Sequence, residues 1–186
     1  GNGRLEYRVP LDRSGWQADA WSLVNIADGP GLAPADNAAP AEAVFRMHCP
    51  FVLLKGMIEL AGRGGADLFL STNNALNWTR IAGFNAPDGF QESIDLQYRI
   101  LRRYEYHIKL VLAPGARIDR LAFLNDTQHS QRALPALCMG ANTITVSTGL
   151  PIDTVTIEPT FKKDAAAKAE TLQDFHAVIQ GLNVDD

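Results

Sequence analysis

The amino-acid sequence predicts an all-β fold, an antiparallel β-sandwich or jelly roll, and three observations support this prediction. Residues 103–112 alternate between apolar and polar side chains, which is typical of a strand with one buried face. The side chains predicted to point inward are Tyr104, Tyr106, Ile108 and Leu110. About eight to ten short runs of this kind follow one another with turn residues between them. No helical pattern separates them, as a parallel α/β sheet would require.

The other strand-like runs are rich in β-branched and aromatic residues and end at Pro, Gly or polar turns. They cover residues 5–9, 44–49, 51–54, 57–60, 67–71, 78–81, 93–97, 142–147 and 154–157. The first of them alternates in the manner of an edge strand. Residues 27–43 contain three prolines and two glycines and show no periodicity, so they are predicted to form a long surface loop.

The last segment, residues 164–182, has a different pattern. Asp164 is a good N-cap residue, and the alanines, lysine and glutamate that follow it favour a helix. Leu172, Phe175 and Leu182 fall at helical spacing and give this segment an apolar stripe. The sequence therefore predicts one β-sandwich domain over residues 1–163, with an amphipathic helix over residues 164–182 that docks on it.

Composition limits the range of functions. The chain has 186 residues and a net charge of −4, which argues against nucleic-acid binding because such proteins normally carry a basic surface. It contains no apolar run of about 20 residues, so no membrane insertion is predicted. Its four histidines lie far apart, and it has neither a phosphate-binding glycine loop nor a Gly-x-Ser-x-Gly motif. No metal and no cofactor are therefore predicted.

The densest polar stretch, residues 125–132, follows a predicted strand. Loops at the ends of a sandwich are where binding groups usually gather. The residues predicted to bind a ligand are therefore Asp126, Gln128, His129 and Arg132.

A catalytic alternative rests on the polar side of the strand over residues 103–112. Glu105 and His107 stand two residues apart there, between Arg103 and Lys109. A glycosidase needs two carboxyl groups on either side of the scissile bond, and carboxylates on other strands are candidates for the second. The same residues also fit the ordinary solvated face of an antiparallel sheet.

The stretch from Ser71 to Trp78 lies between two predicted strands and resembles the Asp-box hairpin of sialidases, Ser-x-Asp-x-Gly-x-x-Trp. Ser71 and Trp78 match this pattern, whereas Asn73 replaces its Asp and Ala75 replaces its Gly. In that family the box is a folding device, so the resemblance implies a structural role for Ser71, Asn73 and Trp78. We expect the indole of Trp78 to pack beneath the hairpin, and Asn73 to bond the backbone of its own turn.

Residues 134–137, Gly140 and residues 142–146 resemble the closing part of accessory β-sandwich modules in secreted carbohydrate-active proteins, of the galactose-binding-like or jelly-roll type. The resemblance implies sugar binding or packing on a neighbouring catalytic domain, and an extracytoplasmic location. The sequence thus favours a non-catalytic accessory or carbohydrate-binding module of a larger exported protein, whose partner is a glycan or a neighbouring domain. A jelly-roll glycoside hydrolase or polysaccharide lyase and a protein-interaction domain without a small ligand are the alternatives.

Overall fold

The structure is a computed structural model that describes residues 2–129, 136–138, 152–164 and 169–182. Its strands are β1 (Asn2–Arg8), β2 (Ser22–Val24), β3 (Ala41–His48), β4 (Val52–Ser71), β5 (Thr79–Asp95), β6 (Glu105–Leu112), β7 (Arg117–Gln128), β8 (Ala136–Cys138), β9 (Ile152–Asp164) and β10 (Ala169–Leu182). A 3₁₀ turn (Trp16–Asp19) and the one-turn helix α1 (Gln97–Ile100) lie between strands. The predicted all-β, antiparallel fold class is confirmed.

The strands form one curled sheet in the order β2-β3-β6-β4-β7-β1-β10-β8, with β5 also paired to β4 and β9 also paired to β10. The long strand β4 changes partner along its length, because residues 52–63 pair with β7 and residues 66–71 pair with β6. The change occurs between Arg63 and Ala66, in a stretch that contains Gly64 and follows Gly62. A Cβ at Gly62 would collide with the Arg117 carbonyl, and Gly64 has a φ of +86°. These glycines let β4 run from one half of the curled sheet into the other.

The hydrophobic core fills the inside of this curl. Fully buried side chains from four strands meet there, and they include Phe45, Ile58, Leu68, Ile108 and Phe123. The ring of Phe123 lies 5.9 Å from that of Phe45, between centroids. Each side chain of this size contributes about 1.5–3 kcal/mol by leaving water, so the core is the main source of stability.

The inward parity predicted for β6 is confirmed for Tyr106, Ile108 and Leu110, which are fully buried. Two details were wrong. Tyr104 is 55% exposed, because β6 begins one residue after it. His107 has the predicted outward parity but is also fully buried, because Trp21 from the segment before β2 lies against it.

Two other local predictions need correction. β1 is not an edge strand, because β7 and β10 pair with its two sides. The predicted surface loop is irregular only as far as residue 40, and β3 begins at Ala41. Leu32 within that loop is fully buried and bridges Ile118, so part of the loop covers the core.

The predicted C-terminal helix is wrong over residues 169–182, which form β10 instead. β10 pairs with β1 in parallel and with β9 in antiparallel register. Backbone hydrogen bonds to two neighbouring strands outweigh a helix propensity that is worth only tenths of a kcal/mol per residue. Thr171, Phe175 and Val178 also suit a strand. Residues 139–147, which include most of the second resemblance, lie outside the described residues.

The segment between β1 and β2 is tied to the core by two buried groups. Trp16 is 1% exposed, and its indole N–H donates to the Gly29 carbonyl over 3.0 Å. The hydroxyl of Tyr7 donates to a carboxylate oxygen of Asp19 over 2.9 Å. Burial raises the pKa of Asp19 to about 6 from its ordinary value of 3.8. Ionising this carboxyl group therefore costs more free energy in the folded protein than in the unfolded chain.

This pKa predicts how the stability depends on pH. As the pH rises from about 4 to about 6, the unfolded chain loses the Asp19 proton before the folded chain does, so folding is disfavoured. Relative to the Asp19→Asn variant, whose amide oxygen still accepts from Tyr7, the wild-type free energy of unfolding should fall by up to about 3 kcal/mol between pH 4 and pH 7. Urea unfolding of both proteins at the two pH values measures this. A difference that does not change with pH would contradict it.

Candidate functional site

The outer side of the strands β3, β6 and β4 carries two tryptophans and several charged groups. Every second residue of β6 points into the core, and the residues between them point outward. The strand register places the outward residues of β3 on one side of them and those of β4 on the other. We call this surface the tryptophan face. It consists of Trp21, Val44, Arg46, Phe69, Trp78, Glu105, His107 and Lys109.

Trp21 forms one end of the tryptophan face. Its backbone N–H donates to the Val44 carbonyl over 2.7 Å, which fixes the residue beside β3. The Arg46 guanidinium lies 5.1 Å from the centroid of the indole, and the imidazole of His107 meets the indole edge-on at 5.1 Å. The indole is nevertheless 41% exposed. Its solvent-exposed part therefore lies away from these two contacts and can accept a ligand.

Arg46 and Glu105 form a fixed ion pair next to Trp21. Two guanidinium nitrogens of Arg46 donate to the same carboxylate oxygen, Oε2, over 2.7 and 3.2 Å. These hydrogen bonds lower the pKa of Glu105, so it is ionised at neutral pH. Its second oxygen, Oε1, bonds no described residue. The pair therefore offers one carboxylate oxygen and the remaining guanidinium N–H groups to a ligand.

His107 lies under Trp21 with no exposed surface, and neither ring nitrogen has a hydrogen-bond partner among the described residues. Burial lowers the pKa of His107, and the nearby Glu105 opposes that shift only in part. The imidazole is therefore neutral at physiological pH. Its unpaired nitrogens carry a desolvation cost that the fold does not recover through hydrogen bonds.

Trp78 forms the other end of the tryptophan face and is half-buried. The Lys109 ammonium lies 4.8 Å from the centroid of its ring and 5.3 Å from that of Phe69. Trp78 thus packs against a charged group on the outer face, whereas the sequence predicted an indole beneath the strands. Lys109 points outward from β6 and lies opposite Phe69 of β4, so its ammonium is available on the outer face for Trp78 to contact.

The turn before Trp78 has the predicted hydrogen bond between Asn73 and the turn's own backbone, and a second bond from Ser71. The Ser71 hydroxyl donates to the side-chain oxygen of Asn73 over 2.9 Å, and the Asn77 N–H donates to the same oxygen over 3.0 Å. Asn74 and Ala75 adopt left-handed conformations with φ near 56° and 58°. Ser71 and Asn73 therefore shape the hairpin that joins β4 to β5.

A cavity of about 420 Å³ lies beside this hairpin, and the residues on either side of Trp78 in the sequence line it. Its lining is mostly polar and includes Thr72, Asn73, Asn77, Thr79, Arg80 and Arg99. Arg80 also pairs with Asp67 on β4. The cavity thus offers hydrogen-bonding groups beside the hairpin, but no residue of the tryptophan face lines it.

The residues predicted to bind a ligand lie elsewhere. Asp126 and Gln128 are exposed residues of β7, and Asp126 borders a cavity of about 120 Å³. His129 is 5% exposed and packs on the ring of Phe51, 5.5 Å between centroids. Arg132 lies outside the described residues. A binding role for these four residues stays a prediction.

The structure does bring the predicted catalytic pair, Glu105 and His107, into one site with Trp21 and Arg46. Arg46 and Trp21 were not predicted as members of a site, and Lys109 was predicted only as a neighbour of Glu105 and His107. Alternation in residues 44–49 gave a signal for the outward side of β3, but only the cross-strand register shows that Arg46 faces His107. A catalytic role for Glu105 and His107 stays a prediction.

Among the described residues, no group of three His, Cys, Asp or Glu side chains is placed to hold a metal ion. The same part of the chain contains no helix long and apolar enough to cross a membrane.

Replacing His107 by Leu removes both unpaired nitrogens and keeps a buried side chain. Because the pKa of folded His107 is below its ordinary value of 6.5, the wild-type protein loses stability as the pH falls below about 6.5, where the unfolded chain gains a proton. The His107→Leu variant should be at least as stable as wild type at pH 8, and its advantage should grow at pH 5. Urea unfolding at both pH values tests this, and an advantage that shrinks at pH 5 would contradict it.

No family model and no curated protein matches this sequence. Solved structures that do match include a carbohydrate-binding module, CBM6cm-2, from Cellvibrio mixtus lichenase 5A, solved with cellotriose. The two chains are 11% identical, the match covers 63% of this chain and 96% of the module, and the TM-score is 0.36. The module TmCBM61, solved with β-1,4-galactotriose, matches at 8% identity over 62% of this chain and 77% of its own, with a TM-score of 0.29. Similar solved structures thus include carbohydrate-binding modules.

Proposed function

We propose that the tryptophan face binds a glycan and that the protein is a non-catalytic carbohydrate-binding module. One observation carries the proposal: Trp21 and Trp78 lie on the same outer side of the sheet, with fixed polar groups beside them. The C–H faces of pyranose rings pack on aromatic rings, and the hydroxyl groups of the sugar need oriented donors and acceptors. The tryptophan face supplies both.

The distance between the two tryptophans suits one extended ligand. Trp21 contacts His107, and Trp78 contacts Lys109. These two β6 residues are two positions apart, about 7 Å along the strand. The indoles therefore flank one short stretch of sheet, and a single oligosaccharide is able to reach both.

The polar groups between the tryptophans are held in place before a ligand arrives. Arg46 is fixed by Glu105 and by its contact with Trp21. A preorganised group loses less conformational entropy on binding than a free side chain, which favours affinity. The free carboxylate oxygen of Glu105 accepts from sugar hydroxyls, and the remaining N–H groups of Arg46 donate to them.

The charge state of Glu105 argues against its use as the general acid of a glycosidase. A glycosidase acid must keep its proton near neutral pH, which requires a raised pKa. Arg46 instead lowers the pKa of Glu105. Glu105 is thus suited to accept hydrogen bonds.

Polysaccharides are found largely outside cells, so the proposal extends to an accessory module of an exported protein that holds a catalytic neighbour near its substrate. A protein-interaction domain without a small ligand is the alternative, and the binding experiment below distinguishes the two.

Trp21→Ala and Trp78→Ala should each weaken glycan binding by about 2- to 10-fold, the value of one aromatic contact. Affinity electrophoresis through gels that contain β-glucan, galactan, xylan, polygalacturonate or alginate measures the loss. Tyr98→Ala is the matched control, because Tyr98 is 87% exposed but lies in α1, outside the tryptophan face.

Thermal unfolding of the same variants should differ little from wild type, because neither indole belongs to the core. Retention of wild-type affinity by both tryptophan variants would overturn the proposal. Failure of the wild-type protein to bind any glycan would favour the protein-interaction alternative. Release of reducing ends or unsaturated products by the wild type, lost in Glu105→Gln, would favour the hydrolase or lyase alternative.

A further inference from the structure

We infer that the ligand of the tryptophan face is an acidic glycan, whose carboxylate or sulfate groups pair with the Lys109 ammonium. This inference rests on the proposed function and adds the class of glycan to it. It is based on the distribution of charge over this side of the sheet.

Two carboxylates near the tryptophans, Glu105 and Asp67, each pair with an arginine. Arg46 pairs with Glu105 at 2.7 Å, and Arg80 pairs with Asp67 at 2.6 Å. Lys109 forms no ion pair with any carboxylate that the structure describes. Of these three cations, Lys109 is therefore the one whose charge no described carboxylate neutralises through an ion pair.

The strand register explains why Lys109 has no acidic partner. Its cross-strand neighbours are Val44 on β3 and Phe69 on β4, and its neighbours on the same side of β6 are His107 and Val111. None of the four is acidic. Glu42 lies one step further along β3, opposite Val111, and forms no ion pair with Lys109.

The ammonium is held in place by aromatic rings. It lies 5.3 Å from the centroid of Phe69 and 4.8 Å from that of Trp78, and Lys109 is only partly exposed. Cation–π contacts compensate in part for the water that such a group loses, but they do not neutralise its charge. An anionic ligand group therefore meets a cation that is already oriented and has lost part of its hydration.

The position of Lys109 connects this charge to the proposed ligand. Lys109 touches Trp78 directly and lies two residues from His107, which touches Trp21. A sugar stacked on Trp78 would thus place an acidic substituent next to the ammonium. A neutral glycan would leave this charge without a partner in a partly dehydrated site, which disfavours its binding.

The test compares polygalacturonate oligomers, which carry carboxylates, with sulfated and neutral galactan oligomers. Titration calorimetry should show wild-type affinity about tenfold higher for at least one acidic series than for the neutral one. Lys109→Met removes the charge but keeps the packing on both rings. It should lose this preference and bind the neutral series within about twofold of wild type. Lys109→Arg should retain the preference. The two acidic series show which anion is recognised.

Lys55→Met is the matched control, because Lys55 lies on β4 beside Asp126, away from the tryptophan face. It should keep the wild-type preference. If the wild type binds neutral and acidic glycans alike and Lys109→Met changes neither, the inference is overturned while the proposed function stands. If acidic glycans still bind at wild-type strength to the Trp21→Ala and Trp78→Ala variants, the proposed function is overturned as well.

Discussion

The change of partner within β4 is the constraint on which the rest of the structure depends. One half of this strand pairs with β7 and the other half with β6, and the close approach at Gly62 and Gly64 allows the passage between them. The two halves of the curled sheet face each other across the core because one strand belongs to both. A side chain at Gly62 would collide with the neighbouring backbone, so the geometry of this bend fixes the position of β6 relative to β7.

The tryptophan face follows from that arrangement. Once β6 lies between β3 and β4, its inward residues complete the core, and its outward residues lie between Arg46 on one side and Phe69 on the other. The side chains that fill the core and those that form the candidate site therefore come from the same strand. This coupling places a buried histidine, whose ring nitrogens bond none of the described residues, directly beneath an exposed indole. Two of the buried ionisable groups, Asp19 and His107, disfavour folding at different ends of the pH range, because burial destabilises the charged form of each.

The sequence was a good guide where a local pattern decided the structure. Alternation in residues 103–112 predicted a strand and its buried side, because period two is a property of the strand itself. It failed where distant segments decided the outcome. The burial of His107 depends on Trp21, and the strand at residues 169–182 depends on pairing with β1. Trp21 belongs to a segment without periodicity, and the partners of Arg46 and Lys109 depend on strand register. The sequence therefore predicted only Glu105 and His107 as site residues on this face.

The position of β1 between β7 and β10 has a consequence for how the chain reaches this structure. β1 pairs with β10 from Gly3↔Phe175 onward, so about 170 residues separate the partners. Contacts at such separations form slowly, because a long loop must close before they contribute any stability. During synthesis, β1 is made before β10 and keeps one unpaired edge until β10 has emerged. In that interval the edge is a template for pairing with another chain, so we expect refolding at high protein concentration to compete with aggregation through this edge.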